Sequence, residues 1–293
     1  MDSKITMVPV SLSILIPILN EEVLLPRVLA SAKRLGVDIY ILDSGSTDRS
    51  IEIAESFGCK IHVGKWGSFA EKINWGLNNL PLQTVWVMRL DADEYLTDEF
   101  VAKIAAALNS QGENVDGIMV GRQIKFLGKW LRHGGMYPSA HLRITRVGKA
   151  RYESRLLDEH VHVPGATYKF SADIVEEESK GLAIWSRKHI GYAETECFIH
   201  YNELSHEKTW RRLEGAARYR RFLREEIYDR FPLFIRPFGF WFYRYIFRLG
   251  FLDGMPGFVF HLLHAFWYRI LVDALIFESK ITHGASVKKS HSI

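Results

Sequence analysis

The chain has 293 residues, 47% of them apolar, 13% aromatic and 25% charged, with a formal net charge of +4. This is an ordinary globular composition with enough apolar material for a substantial core, sized for one large domain with an appendage or for two small ones. Only Cys59 and Cys197 occur, which excludes a disulfide framework and fits a reducing compartment.

The N-terminal run MVPVSLSILIPILNEE has the apolar character of a secretory leader. However, Asp2 occupies the would-be basic region, and Asn20-Glu21-Glu22 stands where a small-residue cleavage site belongs. We therefore read SLSILIP (11–17) as a buried strand, from its β-branched content and terminal proline. Residues 21–35 place Leu24, Leu25, Val28, Leu29, Ala32 and Leu35 on one helical face. DIYILD (38–43) is the next strand, and SGSTD (44–48) is turn chemistry that caps a helix over RSIEIAESFG. KIHV (60–63) reads as a short strand, FAEKINWGL (69–77) as a helix and TVWVMRL (84–90) as a central strand. Thr97 caps a helix to about Leu108, with Asp98 and Glu99 in its first turn, where the helix dipole favours acids. From Gly117 the pattern loosens: GIMVGRQIKFLG and AHLRITRVG read as strands, and RLLDEHVHV (155–163) mixes acid with histidine. Helical character returns after Ser205, and residues 232–278 are densely aromatic.

Strand–helix alternation with short connections predicts right-handed βαβ units, hence an α/β fold with a mostly parallel central sheet flanked by helices. Ligands of such sheets sit beyond the carboxyl ends of the strands. Three polar clusters fall at those ends: Pro17–Asn20–Glu21, Asp43–Ser44 and Asp91–Asp93. They are expected to converge on one crevice.

WVMRLDADEYL (86–96) sets three acids directly behind an apolar run. Burying carboxylates there is unfavourable without a positive partner. On an extended segment Asp91 and Asp93 share a face and Glu94 points elsewhere, so the pair repels unless one stays protonated or a cation binds. Oxygen-only ligation with few protein groups suits Mg²⁺ or Mn²⁺ completed by water and substrate phosphates. Such an ion reconciles a nucleotide with a mildly acidic body: residues 1–206 carry 23 Lys and Arg against 26 Asp and Glu.

SILIPILNEE, ILDSGSTDRSIEIA, KINWGLN and MRLDADEYL, in that order and spacing, resemble the family 2 glycosyltransferases. The later LLDEHV and the tail FRLGFLDGMPGFVFHLLHAFWYR resemble the branch that builds lipopolysaccharide core and exopolysaccharide. The resemblance implies an inverting enzyme of the GT-A fold with a nucleotide-sugar donor, by default a uridine diphosphate sugar. It implies that Pro17, Asn20 and Glu21 line the nucleoside pocket, that Asp43 accepts a hydrogen bond from the base, and that Lys72 lies near the base or diphosphate. Asp91 then sits at the ribose and metal, and Asp93 is the main metal ligand. The family's base is an acid at the second position of a Glu-Asp pair. Here the pair is inverted, Asp158-Glu159, so Glu159 is the expected base and Asp158 the alternative. No Gln/Arg-x-x-Arg-Trp element of processive synthases occurs, which implies addition of a single sugar.

His160 and His189 are candidate third metal ligands, with His162 and His200 behind them, and Lys188 is a candidate phosphate contact. From Glu207 onward the chain carries 15 Lys and Arg against 8 Asp and Glu, including an arginine-rich helix around Arg211–Arg224. No nucleic-acid-binding motif accompanies those arginines. In 232–278 the longest uncharged stretch, Gly254–Tyr268, has 15 residues, short of the roughly 20 that a spanning helix needs. Trp241, Tyr243, Tyr245, Trp267 and Tyr268, interleaved with Arg236, Arg244, Arg248 and Arg269, suit helices lying in a membrane interface. The expected organisation is a catalytic domain over 8–205 and a helical membrane-associating or acceptor region over 206–293, peripheral on the cytoplasmic face of the plasma membrane. The expected acceptor is a lipid-linked glycan or lipopolysaccharide. Two other classes are a nucleotidyltransferase, although PILNEEVLLPR lacks the glycine-rich phosphate loop, and a non-catalytic nucleotide-sugar-binding protein at the membrane.

Overall fold

The computed structural model describes residues 10–153, 159–177, 179–202 and 215–290. The chain divides into two compact units, one from Met1–Leu131 and Met136–Lys180, the other from Arg132–Gly135 and Gly181–Ile293.

In the first unit the elements run β1 (Leu12–Ile18), α1 (Leu25–Lys33), β2 (Asp38–Asp43), α2 (Ser50–Ser56), β3 (Lys60–Val63), α3 (Phe69–Asn79) and β4 (Trp86–Arg89). Then come β5 (Glu94–Leu96), α4 (Asp98–Asn109), β6 (Val115–Phe126), β7 (Lys129–Trp130), β8 (Ala140–Arg146), β9 (Arg151–Tyr152), β10 (Val161–His162) and β11 (Ala166–Glu177). The main sheet has the order β3-β2-β1-β4-β8-β6-β11-β5, with β7 paired to β6. Its first four strands are parallel, as the alternation predicts. The other half is mixed, because β8 inserts antiparallel between β4 and β6 and β5 closes the edge antiparallel to β11. Fold class is therefore as expected: an α/β sheet flanked by helices, followed in the chain by a helical region.

The pleat of β1 builds two cores. Leu12, Ile14, Ile16 and Ile18 pack with Leu25, Val28 and Leu29 of α1 and with Phe100 and Ile104 of α4. Leu15 faces the other layer, with Tyr40, Leu42, and Ala70 and Ile73 of α3. Side chains two apart on a strand share a face, so one seven-residue strand anchors both layers. α3 comes close to the sheet at Gly76, where a Cβ would lie 2.7 Å from Leu42 Cδ1. Ser68 caps α3 by accepting from Glu71 N, and Thr97 caps α4 by accepting from Phe100 N, as the sequence predicts for Thr97.

The second unit contains α5 (Leu182–Asn202), α6 (Gly215–Phe222), α7 (Ile235–Phe242), α8 (Gly254–Phe260) and α9 (Tyr268–Ser290). α5 thus falls here rather than with the sheet. Ala193 and Cys197 of α5 pack on Tyr268, Val272 and Ile276 of α9. Charges are tied inside this unit. Arg236 donates to Asp273 from Nε at 2.8 Å and from Nη2 at 2.5 Å, and Glu196 accepts from Tyr268 Oη at 2.5 Å and from Arg269 at 2.9 Å. The expected belt of tyrosine, tryptophan and arginine is therefore only partly outward. Arg236, Arg244 and Tyr268 are buried, because each finds a partner within this unit: Asp273, the Gly134 carbonyl and Glu196 respectively. The helical stretch Gly250–Thr282, 33 residues, is long and apolar enough by length and composition to cross a membrane. The uncharged run within it is shorter than that stretch, since Asp253, Arg269 and Asp273 interrupt it; Arg269 pairs with Glu196 and Asp273 with Arg236. Arg211 and Arg212 lie outside the described residues.

Candidate active site

The carboxyl ends of β1, β2 and β4 are neighbours. Ser44 N donates to Ile18 O at 3.2 Å, and Leu90 N donates to Leu15 O at 3.0 Å. Pro17, buried in β1, pairs with Leu42. Beyond β1 the chain turns at Asn20, which adopts a left-handed φ of 56°, a conformation asparagine tolerates better than most residues. Asn20 N donates to Ser46 Oγ (2.9 Å) and its Oδ1 accepts from Thr47 N (2.8 Å). Glu21 N donates to Ser50 Oγ at 2.7 Å. Lys180 closes this corner, pairing with the Glu21 carboxylate at 2.7 Å and donating to Asn20 O at 2.9 Å. The loops after β1 and β2 are thus laced into one polar rim.

Asp43 ends β2 and is buried. Its carboxylate accepts from Gly45 N (2.8 Å), Ser46 N (2.9 Å) and the Ser46 hydroxyl. A carboxylate offers about four acceptor sites, so the turn itself takes most of them. Lys72, one turn into α3, is also buried. Its ammonium donates to Ile18 O (2.7 Å) and Ser44 Oγ (2.8 Å) and lies over the Trp66 ring at 5.5 Å. Burial lowers its pKa to about 8, against the pull of Asp43 and Glu21. A cation is therefore held where the ends of β1 and β2 meet.

Residues 91–94 make a β-turn closed by Glu94 N donating to Asp91 O at 2.9 Å, with Asp91 N donating back to Glu94 Oε2 at 3.0 Å. This replaces the extended segment expected from sequence, because the turn satisfies two amides at a strand end. Exposure still alternates: Asp91 and Asp93 are half-buried, while Ala92 and Glu94 are buried. Arg89 and Arg143 each reach Asp91 Oδ2 at 3.0 Å, and Arg143 also pairs with Glu94. Burial alone would raise the Asp91 carboxyl, but the two guanidinium groups hold it well below the usual carboxylate range. Glu94 is pushed up to about 7 by burial, with Arg143 opposing and Asp91 and Asp93 adding to the rise. Glu176 of β11, paired with Arg122, is raised by burial and again by Asp93 and Asp91. Both aspartates act on the same two carboxyls, so they share one electrostatic neighbourhood.

Opposite α3, the hairpin β9–β10 is pinned by Asn74, which donates from Nδ2 to Tyr152 O (3.0 Å) and accepts at Oδ1 from Tyr152 N (2.8 Å). Arg89 lies over the rings of Phe69 and Tyr152 at 5.0 and 5.3 Å. Glu159, half-buried, precedes β10, and Glu153 N donates to His160 O at 2.9 Å. Asp158 lies outside the described residues. His162 pairs with Glu153 at 2.9 Å. His189 in α5 is stacked on Trp185 at 3.5 Å with its Nδ1 on Trp185 O at 2.9 Å, and His200 is half-buried in the same helix with its pKa lowered by burial. Lys188 lies on α5 as well.

The sequence reading missed Arg89, Arg143, Glu176, Asn74 and Lys180. Arg143 left a signal: a charged residue in the middle of AHLRITRVG, beside Ile144 and Thr145, needs an anion if that strand is interior. Asn74 left none, since its partner is a backbone segment 78 residues away.

Among the described residues no group of three or more His, Cys, Asp or Glu side chains is arranged to hold a metal ion. Asp91 Oδ1, however, is buried without a hydrogen-bond partner, and Asp93 lies in the same neighbourhood. Two carboxylates fit Mg²⁺ or Mn²⁺, which draw remaining ligands from water and phosphate. They do not fit a closed structural zinc site.

A family model described as "Glycosyl transferase family 2" matches residues 13–177. An uncharacterized glycosyltransferase of Rickettsia bellii (strain RML369-C) is 33% identical over 101 residues, 32% of each chain. The lipopolysaccharide core biosynthesis glycosyltransferase LpsC of Rhizobium meliloti (strain 1021) is 28% identical over 156 residues, 52% of this chain and 55% of LpsC. The matches thus span between a third and somewhat over half of those relatives. Among solved structures, S. aureus TarS 1–349 aligns over 93% of this chain and 91% of its own at 15% identity, with a TM-score of 0.46. The Mycobacterium tuberculosis glucosyl-3-phosphoglycerate synthase, solved with Mn²⁺, uridine diphosphate and glucosyl-3-phosphoglycerate, aligns over 39% of this chain and 44% of its own at 23% identity and a TM-score of 0.33.

Proposed function

The chain belongs to glycosyl transferase family 2, and on that footing we propose that it moves one sugar, with inversion, from a nucleoside diphosphate sugar to a lipid-linked or lipopolysaccharide-type acceptor at a membrane surface. The observation that carries this reading is the meeting of three polar strand ends: Asn20–Glu21 after β1, Asp43–Ser44 after β2 with the Lys72 ammonium between them, and Asp91–Asp93 after β4. A nucleoside fits against the rim of Pro17, Asn20, Glu21 and Asp43. Lys72 presents a positive charge toward a diphosphate, and Arg89 and Arg143 keep Asp91 ionised.

Asp93 and Asp91 are the residues that would hold Mg²⁺ or Mn²⁺, and such an ion, when bound, neutralises charge building on the departing diphosphate. Glu159 takes the proton from the attacking acceptor hydroxyl, with Asp158 as the alternative base. Asn74 clamps Tyr152 of β9, the strand paired with β10, which Glu159 precedes. A single in-line displacement needs no covalent nucleophile. The lipopolysaccharide-type acceptor is supported by the similarity to LpsC, and attachment to a membrane surface by the exposed large apolar side chains of the second unit.

Product analysis of sugar transfer tests this. Asp93→Ala is expected to abolish transfer without unfolding the chain, and Glu159→Gln to abolish turnover while donor binding persists. Retained transfer by Asp93→Ala rejects the metal role, and an active Glu159→Gln enzyme moves the base to Asp158.

A further inference from the structure

Among the described residues, the second unit carries a stretch of large apolar side chains exposed to solvent. From Phe231 to Asp273 the sequence contains only two acids, Asp253 and Asp273, and both are buried, 2% and 0% exposed. Asp253 accepts from His133 N at 2.8 Å and contacts His133 Nδ1 at 2.7 Å, and Asp273 is taken by Arg236 and Phe234 N. Two of the four arginines in that span, Arg236 and Arg244, are buried too. What faces outward between Phe242 and Met255 is mostly apolar: Phe242, Phe247, Leu249, Phe251, Leu252 and Met255, with Phe247 69% and Met255 70% exposed. The Phe242 and Phe247 rings meet edge-on at 5.5 Å, and across the break the Tyr245 and Phe251 ring centroids lie 6.2 Å apart. Leu249 adopts a left-handed φ of 58°, breaking the helix so that apolar side chains project on both sides of the break.

We propose that this break, Phe242–Met255, is the wedge by which the chain enters the headgroup–acyl boundary of an anionic bilayer, with Arg248 as its headgroup contact. The proposal rests on the membrane attachment put forward above and names its face. Two features favour lipid over protein. A protein interface carries about one hydrogen bond per 100–200 Å², whereas the exposed polar side chains of this stretch are Tyr243 and Arg248, with Tyr245 half-exposed. Hydrocarbon asks for no partners. Second, a symmetric contact between two copies of this face would cover both Arg248 side chains with no exposed acid in the stretch to pair them, whereas anionic headgroups complement them. An apolar face a few ångströms deep with a basic residue at its rim is the pattern of an interfacial segment.

The test is flotation of the full chain with vesicles of phosphatidylcholine containing phosphatidylglycerol, and with phosphatidylcholine alone. Phe247→Glu/Met255→Glu is expected to weaken partitioning on the order of a hundredfold with an unchanged circular dichroism spectrum, from the apolar area withdrawn. Arg248→Gln is expected to weaken binding to the anionic vesicles about fivefold and to leave binding to neutral ones unchanged. Val85→Glu, an exposed apolar position of the sheet unit, is expected to float like the wild type. If the wild type floats and Phe247→Glu/Met255→Glu floats equally, the wedge is refuted while membrane attachment stands. If the wild type floats with neither vesicle, both fall. Vesicle-independent dimers that the double variant dissociates would also overturn the wedge, in favour of a second copy.

Discussion

Arg143→Met removes the guanidinium that sits between Asp91 and Glu94. At 3.0 Å from Asp91 Oδ2 and with an effective dielectric constant of about 20, each ion pair is worth roughly 5 kcal/mol before desolvation is subtracted. Breaking one side of a buried pair costs about 3–5 kcal/mol, which for a unit of this size lowers Tm by about 6–20 °C. The loss is pH-dependent. The Glu94 carboxyl has a folded pKa of about 7 against an ordinary 4.5, so its contribution to stability is full below pH 4.5 and is lost as pH rises through 7. Without Arg143 that loss deepens, so the deficit of the variant is expected to be larger at pH 8 than at pH 5. Calorimetric unfolding at both pH values measures it. Adding Glu94→Met should recover most of the pH 8 loss, since an apolar replacement for a buried ion pair is often neutral. A deficit under about 1 kcal/mol, or one equal at pH 5 and pH 8, would refute the assignment of Arg143 as counter-charge to these acids.

Two other expectations follow from the geometry. The Lys72 ammonium titrates near pH 8, so affinity for uridine diphosphate should fall between pH 7 and pH 9 in the wild type, and Lys72→Met should bind weakly with no such dependence; a wild-type affinity flat over that range excludes Lys72 from the diphosphate. Asn74→Ala removes two hydrogen bonds to Tyr152, worth about 1 kcal/mol each; kcat should drop with donor affinity intact, and an unchanged kcat shows that the hairpin does not orient Glu159.

The parallel half of the sheet was legible because local signals coincide there: the β-branched run of β1, the Thr97 cap and the turn chemistry of SGSTD agree with each other. The antiparallel half was not, since the insertion of β8 between β4 and β6 depends on pairings such as Val87 with Thr145 that no local pattern announces. The same division holds in the candidate site. Asn20, Asp43 and Asp91 are strand-end residues that position along the chain singles out, whereas Arg143, Glu176 and Asn74 come from distant segments and enter only through tertiary packing. The acids of WVMRLDADEYL ask for a positive partner, and arginines from the sheet already balance part of their charge. In the second unit the aromatic richness was plain, but which rings face outward is set by buried partners such as Arg236 with Asp273.

The central claim, that Asp91 and Asp93 hold a divalent cation against a nucleoside diphosphate, is tested most directly by titration calorimetry of uridine, guanosine and deoxythymidine diphosphates with and without Mn²⁺. One of them is expected to bind the wild type at least tenfold more tightly with Mn²⁺ present, and Asp93→Ala to lose that increment. Metal-independent binding of equal strength in both proteins would contradict it.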